Sequence, residues 1–315
     1  MRPRFPSFAR SIVAVVVLAL AGGGCVAPAI ADDAVPARRR TVMLQGGFLQ
    51  VDVEAPIDPP GPKPAVVSYL EAARATLLAA GFVVVTYTVH WEMLRGLAPP
   101  APAPAPAPAP GSPKPAAAKP VGKWLLASPT PKTIGQGYLG LIDATARGTL
   151  PEVLDVLASD PDVDPGRIGI AGFSTNGFMA LHATSVDPRF RVAVAVAACG
   201  DYHRFLHRST LAMAGARLDL DPTYEAWLRR VEPARHPERL VHAAVLMVNG
   251  RDDLPIPLAC AQSTALALRS AYRYAGAPER FRFVVIDEGH ALGERGRHEA
   301  VAWLSRWLQP ARSAP

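Results

Sequence analysis

The sequence lacks several features that would point to a cofactor or to a nucleic acid. Its three cysteines and eight histidines form no cluster with the spacing of metal ligands. No glycine-rich loop of the phosphate-binding kind follows a predicted strand. The pI of about 9.5 is not accompanied by a Lys/Arg-rich run with interleaved aromatic residues. We therefore expect no metal, no organic cofactor and no nucleic-acid partner.

The composition that is present is typical of a folded chain. Half of the 315 residues are hydrophobic and the mean hydropathy is +0.14, which is enough for a sizeable core in one large domain or two small ones. Proline is the outlier with 33 residues, but many of these lie in a single Ala-Pro repeat. This repeat, within residues 98–120, cannot form a helix and has nothing to bury. We expect it to be a disordered, extended insertion on the surface of a domain that covers residues 41–310.

The N-terminus has the pattern of an export signal. Three arginines precede an apolar run, Ile12–Ala21, which is too short for a membrane span of about 20 residues but suits the core of a signal peptide. The signal could end at either of two positions. Ala29-Ile30-Ala31 is a small-x-small cleavage site, which makes residues 1–31 the signal, whereas Cys25 after three glycines resembles a bacterial lipobox and predicts membrane anchoring through a lipid.

Either end predicts a protein outside the bacterial cytoplasm, in the periplasm or cell envelope or secreted. The cysteines that then remain are Cys199 and Cys260. An exported protein permits a disulfide between them, and two buried free thiols are the alternative.

Short apolar runs alternate with helical patterns along most of the chain. A hairpin is predicted first, with Thr41–Gln45 and Phe48–Glu54 joined by the two-residue turn Gly46-Gly47. The alternation that follows indicates an α/β fold with a mostly parallel central sheet and helices on both faces. Further strands are predicted at Ala65–Ser68, Phe82–Val89, Arg167–Gly172, Arg191–Ala197, Ala244–Asn249 and Phe281–Asp287, and helices at Glu71–Ala80, Gly137–Ser159, Asn176–Val186, Leu258–Tyr274 and Arg297–Leu308. The irregular stretch Asp201–His242 between two strands predicts a small helical excursion over the site.

Three polar residues follow three of these strands. Ser174 stands where a strand runs directly into a helix, so a sharp turn would hold its hydroxyl above the sheet edge, with the Thr175 amide facing the same space. Asp253 follows the strand that ends at Asn249, and His290 follows the last strand on a glycine-flanked loop. Ligand sites in such sheets form beyond the carboxyl ends of the strands.

Each residue also has a plain structural interpretation when taken alone. Ser174 could be a helix N-cap, Asp252 and Asp253 solvated turn residues, and His290 a surface histidine. The order Ser174, Asp253, His290 at successive strand ends favours a nucleophile, an acid and a base over three unrelated features.

The same segments resemble the α/β-hydrolase superfamily, and within it the dienelactone-hydrolase-like enzymes and the catalytic domain of prolyl-oligopeptidase-type peptidases. Three segments carry the likeness: Val163–Ser174, which leads up to the nucleophile, Gly250–Pro257, and Gly289-His290. The second of these matches the acid segment of those families and selects Asp253 over Asp252 as the acid. Asn176 stands where those families have the first glycine after the serine. Their His-Gly pair after the first buried strand is also missing, so the second oxyanion amide would come from Tyr69 or nearby, or would be absent.

The resemblance implies a serine hydrolase that cleaves an ester, a lactone or a similar acyl bond of a small molecule through an acyl-enzyme, and the N-terminal pattern adds that it is exported. A peptidase of the prolyl-oligopeptidase type is one alternative, although residues 32–60 cannot supply the β-propeller of those enzymes. A non-catalytic envelope protein that keeps the hydrolase fold is the other, and the missing His-Gly pair favours it.

Overall fold

The computed structural model describes residues 35–89, 131–210 and 222–309. The predicted export signal, Cys25 and the Ala-Pro insertion lie outside these ranges. Within the described ranges eight strands form one sheet: β1 Ala37–Leu44, β2 Leu49–Pro56, β3 Lys63–Tyr69, β4 Val83–Val89, β5 Val163–Phe173, β6 Phe190–Val196, β7 Ala244–Gly250 and β8 Phe281–Ile286.

The strand order across the sheet is β1-β2-β4-β3-β5-β6-β7-β8. β1 and β2 pair antiparallel with each other, and β2 pairs antiparallel with β4. All pairings from β4 through β3 to β8 are parallel. The α/β-hydrolase fold predicted from the sequence is therefore confirmed, including the mostly parallel sheet and the N-terminal antiparallel hairpin.

Helices cover both faces of the sheet, as the continuous apolar character of the central strands requires. In β7 every residue is buried. Val245 and Met247 pack with Phe178 on one face of the sheet, whereas Leu246 packs with Trp303 on the other face. The helices are α1 Arg74–Ala79, α2 Pro131–Ala144, α3 Leu150–Ala158, α4 Thr175–Val186, α5 Tyr202–Arg208, α6 Pro222–Val231, α7 Leu258–Tyr274 and α8 Glu294–Leu308.

Two local predictions were wrong. The hairpin turn has four residues instead of two, because Leu44 pairs with Leu49 and the chain between them makes a short 3₁₀ turn with positive φ at Gln45, Gly46 and Gly47. The helix predicted over Gly137–Ser159 is divided by a π-helical segment, Thr145–Thr149, into α2 and α3. A π-helical turn leaves no mark in the apolar pattern by which the helix was recognised.

The predicted excursion between β6 and β7 is helical where it is described. It contains α5, α6 and a 3₁₀ turn, Pro237–Leu240. The C-terminal end of α5 meets the loop after β7: Ser209 Oγ donates to the carbonyl of Pro255 at 2.5 Å, and the Thr210 amide donates to that of Leu254 at 3.3 Å. The excursion therefore lies against the segment that carries Asp253.

Candidate active site

Ser174 occupies a strained turn between β5 and α4. Its φ of 56° and ψ of −119° are unusual for a residue with a side chain. The serine amide donates to the carbonyl of Val196 on β6 at 2.9 Å, which fixes the turn to the sheet. Gly172 makes the turn possible, because a Cβ built on it would lie 2.2 Å from the carbonyl of Asn176. The Ser174 side chain makes no cap hydrogen bond to the helix, so the serine is not an ordinary helix cap.

The structure brings the three predicted side chains into one hydrogen-bonded chain. His290 Nε2 lies 2.9 Å from Ser174 Oγ, and His290 Nδ1 lies 3.0 Å from each carboxylate oxygen of Asp253. The Asp253 side chain has no exposed surface, whereas that of His290 is 24% exposed. A neutral imidazole that donates from Nδ1 to the carboxylate leaves Nε2 free to accept the serine proton.

The loops that carry Asp253 and His290 are bound to each other. The amides of Arg251 and Asp252 donate to the carbonyls of Ile286 and Glu288 at 2.8 and 3.1 Å. This close approach needs Gly250, since a Cβ there would lie 2.3 Å from the carbonyl of Gly289. Gly172 and Gly250, two and three residues before Ser174 and Asp253, thus allow close contact between backbones.

Two residues missed by the sequence analysis hold the acid and the base. Asn249, buried at the end of β7, donates through Nδ2 to the carbonyls of Gly250 and Ile256, and the Ile256 amide donates to Asp253 Oδ1 at 2.7 Å. The ring of Phe173 lies 4.9 Å from the imidazole of His290, centroid to centroid. Asn249 had a signal, namely an amide side chain inside an apolar strand, but Phe173 had none that separates it from core residues.

The predicted oxyanion donors lie at the carboxyl edge of the sheet. Thr175 is the first residue of α4, so its amide has no acceptor within the helix. Tyr69 ends β3 in register with Gly172, while the next amide, that of Leu70, is 3.2 Å from Ser68 Oγ, to which it donates. The Tyr69 hydroxyl is hydrogen-bonded to the backbone of Tyr87: it donates to the carbonyl and accepts from the amide, the latter at 3.1 Å. Any oxyanion role of Tyr69 therefore belongs to its amide.

The loop after β6 is tied to the start of α7 by a disulfide and by hydrogen bonds. Cys199 and Cys260 form the disulfide, with 5.7 Å between their Cα atoms. Thr264 Oγ1 accepts from the amides of Gly200 and Asp201 at 2.8 and 3.1 Å. Ser263 Oγ donates to Asp201 Oδ2 at 2.6 Å. The two cysteines are thus paired, and the alternative of free thiols is wrong.

His182 lies on α4 and points away from Ser174, as its position eight residues later predicts. It is buried, with Nε2 2.7 Å from Asp143 Oδ1 and Nδ1 3.0 Å from the Tyr202 hydroxyl. Within the described ranges no three His, Cys, Asp or Glu side chains converge as metal ligands would, and no helix is long and apolar enough to span a membrane.

Fold and site together define the class of the protein. A Ser-His-Asp arrangement at the carboxyl edge of this sheet, with the serine on a strained strand-to-helix turn, is that of a serine hydrolase of the α/β-hydrolase superfamily. Residues 150–311 match the prolyl oligopeptidase family. The chain belongs to this family.

Individual relatives support the same class. The chain is 30% identical over 156 residues to a Bacillus subtilis (strain 168) protein named "Putative hydrolase YtaP". The match covers 49% of this chain and 50% of the relative. The solved structure of TT1662 from Thermus thermophilus has 20% identity and a TM-score of 0.56, covering 87% of this chain and 99% of TT1662. A puromycin-hydrolyzing peptidase of Mycobacterium tuberculosis has 17% identity and a TM-score of 0.58, covering 90% of this chain and 41% of the peptidase. At these identities the two solved structures show the shared fold.

Proposed function

We propose that the chain is a serine hydrolase that cleaves a carboxylic ester, a lactone or a similar acyl bond of a small molecule. The observation that carries the proposal is the hydrogen-bonded chain from Ser174 Oγ through His290 to the buried carboxylate of Asp253. The three residues come from three different loops, and a purely structural role would not require a positive φ at the serine.

The geometry supports the following sequence of steps. The Ser174 hydroxyl passes its proton to His290 Nε2 as Oγ bonds to the substrate carbonyl carbon. The imidazolium, stabilised by Asp253, then protonates the leaving alcohol as the carbon–oxygen bond breaks. Water, deprotonated by His290, attacks the acyl-enzyme, and its proton returns to Ser174 Oγ as the acid is released.

The developing oxyanion would be stabilised by backbone amides. We assign the first donor to Thr175, where the N-terminus of α4 adds a partial positive charge. We assign the second to Tyr69 at the end of the neighbouring strand. Loss of one such donor costs about 10²–10³ in rate in a well-studied hydrolase.

Membership of the prolyl oligopeptidase family favours a second candidate, hydrolysis of an amide or peptide bond. The same residues serve both reactions, except that His290 must then protonate an amine as leaving group. Substrate choice depends on the pocket for the leaving group and not on the triad itself.

We also propose that the protein works outside the cytoplasm, with residues 1–31 as its export signal. The Cys199–Cys260 disulfide supports this, because disulfides persist in oxidising compartments. Attachment of a lipid to Cys25 remains part of the proposal as the alternative to cleavage after Ala31.

A substrate panel tests the activity. The full chain and Ser174→Ala are compared on p-nitrophenyl esters of short and medium acyl length and on aminoacyl p-nitroanilides, with the exposed Ser270→Ala as control. We expect ester turnover that is lost in Ser174→Ala and unchanged in Ser270→Ala, and fluorophosphonate labelling of Ser174. Turnover of anilides alone would establish the peptidase. Equal rates in Ser174→Ala and the wild type, or no labelling and no turnover, would favour the non-catalytic alternative.

A further inference from the structure

A cavity lies beside the C-terminal end of α4, the helix that follows Ser174. It has a volume of about 550 Å³ and is formed where α2, the π-helical segment, the end of α4 and the end of α6 meet the 3₁₀ turn Pro237–Leu240. Ser185 of α4 lines it and stands 11 residues after Ser174. At about 1.5 Å per residue this places the cavity roughly 16 Å along the helix from the catalytic hydroxyl.

The wall of this cavity is strongly basic. Three guanidinium groups line it, those of Arg147, Arg230 and Arg239, against one carboxylate, that of Asp143. Asp143 Oδ1 already lies 2.7 Å from His182 Nε2 and 2.7 Å from Arg147 Nε. Burial raises the pKa of Asp143, but the hydrogen bonds and charges of His182 and Arg147 outweigh this and hold the pKa below its ordinary value. The carboxylate is therefore ionised and engaged.

The other two guanidinium groups have no acidic partner among the described residues. Arg239 Nη1 donates to the backbone carbonyl of Arg230 at 3.0 Å, which leaves its charge unneutralised. No ion pair of the Arg230 side chain exists within the described ranges, although the neighbouring Arg229 pairs with Glu225. Both side chains are exposed to solvent, so they can move to meet a ligand.

The rest of the wall is apolar. Trp227, Val231 and Val186 contribute their side chains to the same cavity. Trp227 packs beside Tyr224, with 5.1 Å between ring centroids, which limits the movement of the indole. An aromatic surface next to two unneutralised guanidinium groups suits a ligand with an apolar body and an anionic end.

We propose that this cavity is a binding site for a small organic carboxylate whose acidic group pairs with Arg230 and Arg239 and whose apolar body lies on Trp227. Arg is well suited to this role because its planar fork binds a carboxylate through two parallel hydrogen bonds. The site goes beyond the proposed function, since it contains none of the residues of the Ser174 site and its occupation needs no turnover.

Isothermal titration calorimetry of the full chain with phenylacetate tests the site. Phenylacetamide, which has the same apolar body but no charge, is the control ligand. The variants are Arg230→Gln and, as control, Arg269→Gln on the exposed face of α7. We expect phenylacetate to bind and phenylacetamide to bind at least about tenfold more weakly. Added salt should lower the affinity for phenylacetate but not that for phenylacetamide. Arg230→Gln should lose about tenfold in affinity, and Arg269→Gln should equal the wild type.

Ser174→Ala keeps the result separate from catalysis. It should bind phenylacetate with wild-type affinity, whether or not the wild type hydrolyses any ester. Equal binding of acid and amide, or unchanged affinity in Arg230→Gln, would overturn the proposal. So would inorganic phosphate binding as tightly as phenylacetate, because the apolar wall would then contribute nothing.

Discussion

Gly172 and Asn176 approach each other so closely that no side chain fits between them. A Cβ on Gly172 would lie 2.2 Å from both the carbon and the oxygen of the Asn176 carbonyl. Asn176 itself lies in α4 and is not among the residues with positive φ. The asparagine is therefore tolerated because the helix has already begun and its backbone angles are ordinary there.

Gly172→Ala should damage both the turn and the activity. The added methyl must push α4 away from β5, which we expect to cost about 3 kcal/mol of unfolding free energy and about 10² in kcat/KM, because the hydroxyl is displaced. Urea unfolding and ester turnover measure the two effects. Gly148→Ala is the control, since a Cβ there meets nothing within 4 Å, and it should be as stable as the wild type or slightly more so. Normal activity in Gly172→Ala would contradict the geometry.

Asp253→Asn should retain the fold and lose the activity. An amide in place of the carboxylate cannot stabilise the imidazolium and favours the wrong tautomer of His290, which costs about 10⁴ in kcat in a well-studied triad. The adjacent Asp252→Asn is the matched control, because Asp252 is exposed. Steady-state kinetics should place the two variants several orders of magnitude apart; similar rates would show that the acid is wrongly assigned.

Removal of the disulfide should destabilise the chain. Cys199 and Cys260 are separated by 61 residues, and a closed loop of that length restricts the unfolded chain by about 4 kcal/mol in the entropic description. We expect the double variant Cys199→Ser/Cys260→Ser to unfold at a clearly lower urea concentration. Wild-type protein treated with reductant should match the variant. Identical midpoints with and without reductant would argue against a formed bond.

Asp201 should contribute to the pH dependence of stability. Burial raises the pKa of its carboxyl, but hydrogen bonds from Ser263 and Arg204 outweigh this, and the pKa lies below the ordinary value of 3.8. A lowered pKa in the folded state means that the stabilisation is complete above about pH 4 and is lost as the pH falls through the folded-state value. Asp201→Asn should therefore be less stable than the wild type at pH 7, and urea midpoints should show the difference shrinking in strong acid. A constant difference would mean that the charge of Asp201 is not the cause.

Tyr69→Phe should affect stability more than catalysis. The variant leaves the amide and carbonyl of Tyr87 without the hydroxyl that both contact, at an expected cost of about 1–3 kcal/mol. Its amide is unchanged, so kcat should stay within about threefold. Tyr274→Phe, at a side chain that is 97% exposed, should match the wild type in both measurements. A large fall in kcat with normal stability would place the Tyr69 hydroxyl in the reaction.

The parallel strands and the three functional residues could be predicted because each depends on local sequence. A strand such as Ala244–Gly250 is buried on both faces and is apolar up to Val248, and Ser174, Asp253 and His290 each follow such a strand. Strand order does not follow from this pattern. That β3 lies between β4 and β5 depends on how helices cross the sheet, which the sequence leaves open.

Contacts between distant segments that carry no motif were also beyond prediction. Ser209 touches the loop of Asp253 across 46 residues, and nothing in the excursion identifies it among other serines. The four-residue hairpin turn was missed for a different reason, because positive φ at Gln45 is rarely adopted by a residue with a long side chain.

The distance along the chain between the nucleophile and its base has a consequence for folding. Ser174 and His290 are 116 residues apart, and the loop of His290 is held by β7 and β8. During synthesis the serine turn can form long before β8 emerges, so a partly folded chain would contain a shaped nucleophile without a base. In a refolding experiment, recovery of activity therefore reports docking of the last strand, and it should lag behind spectroscopic signals from the earlier part of the sheet.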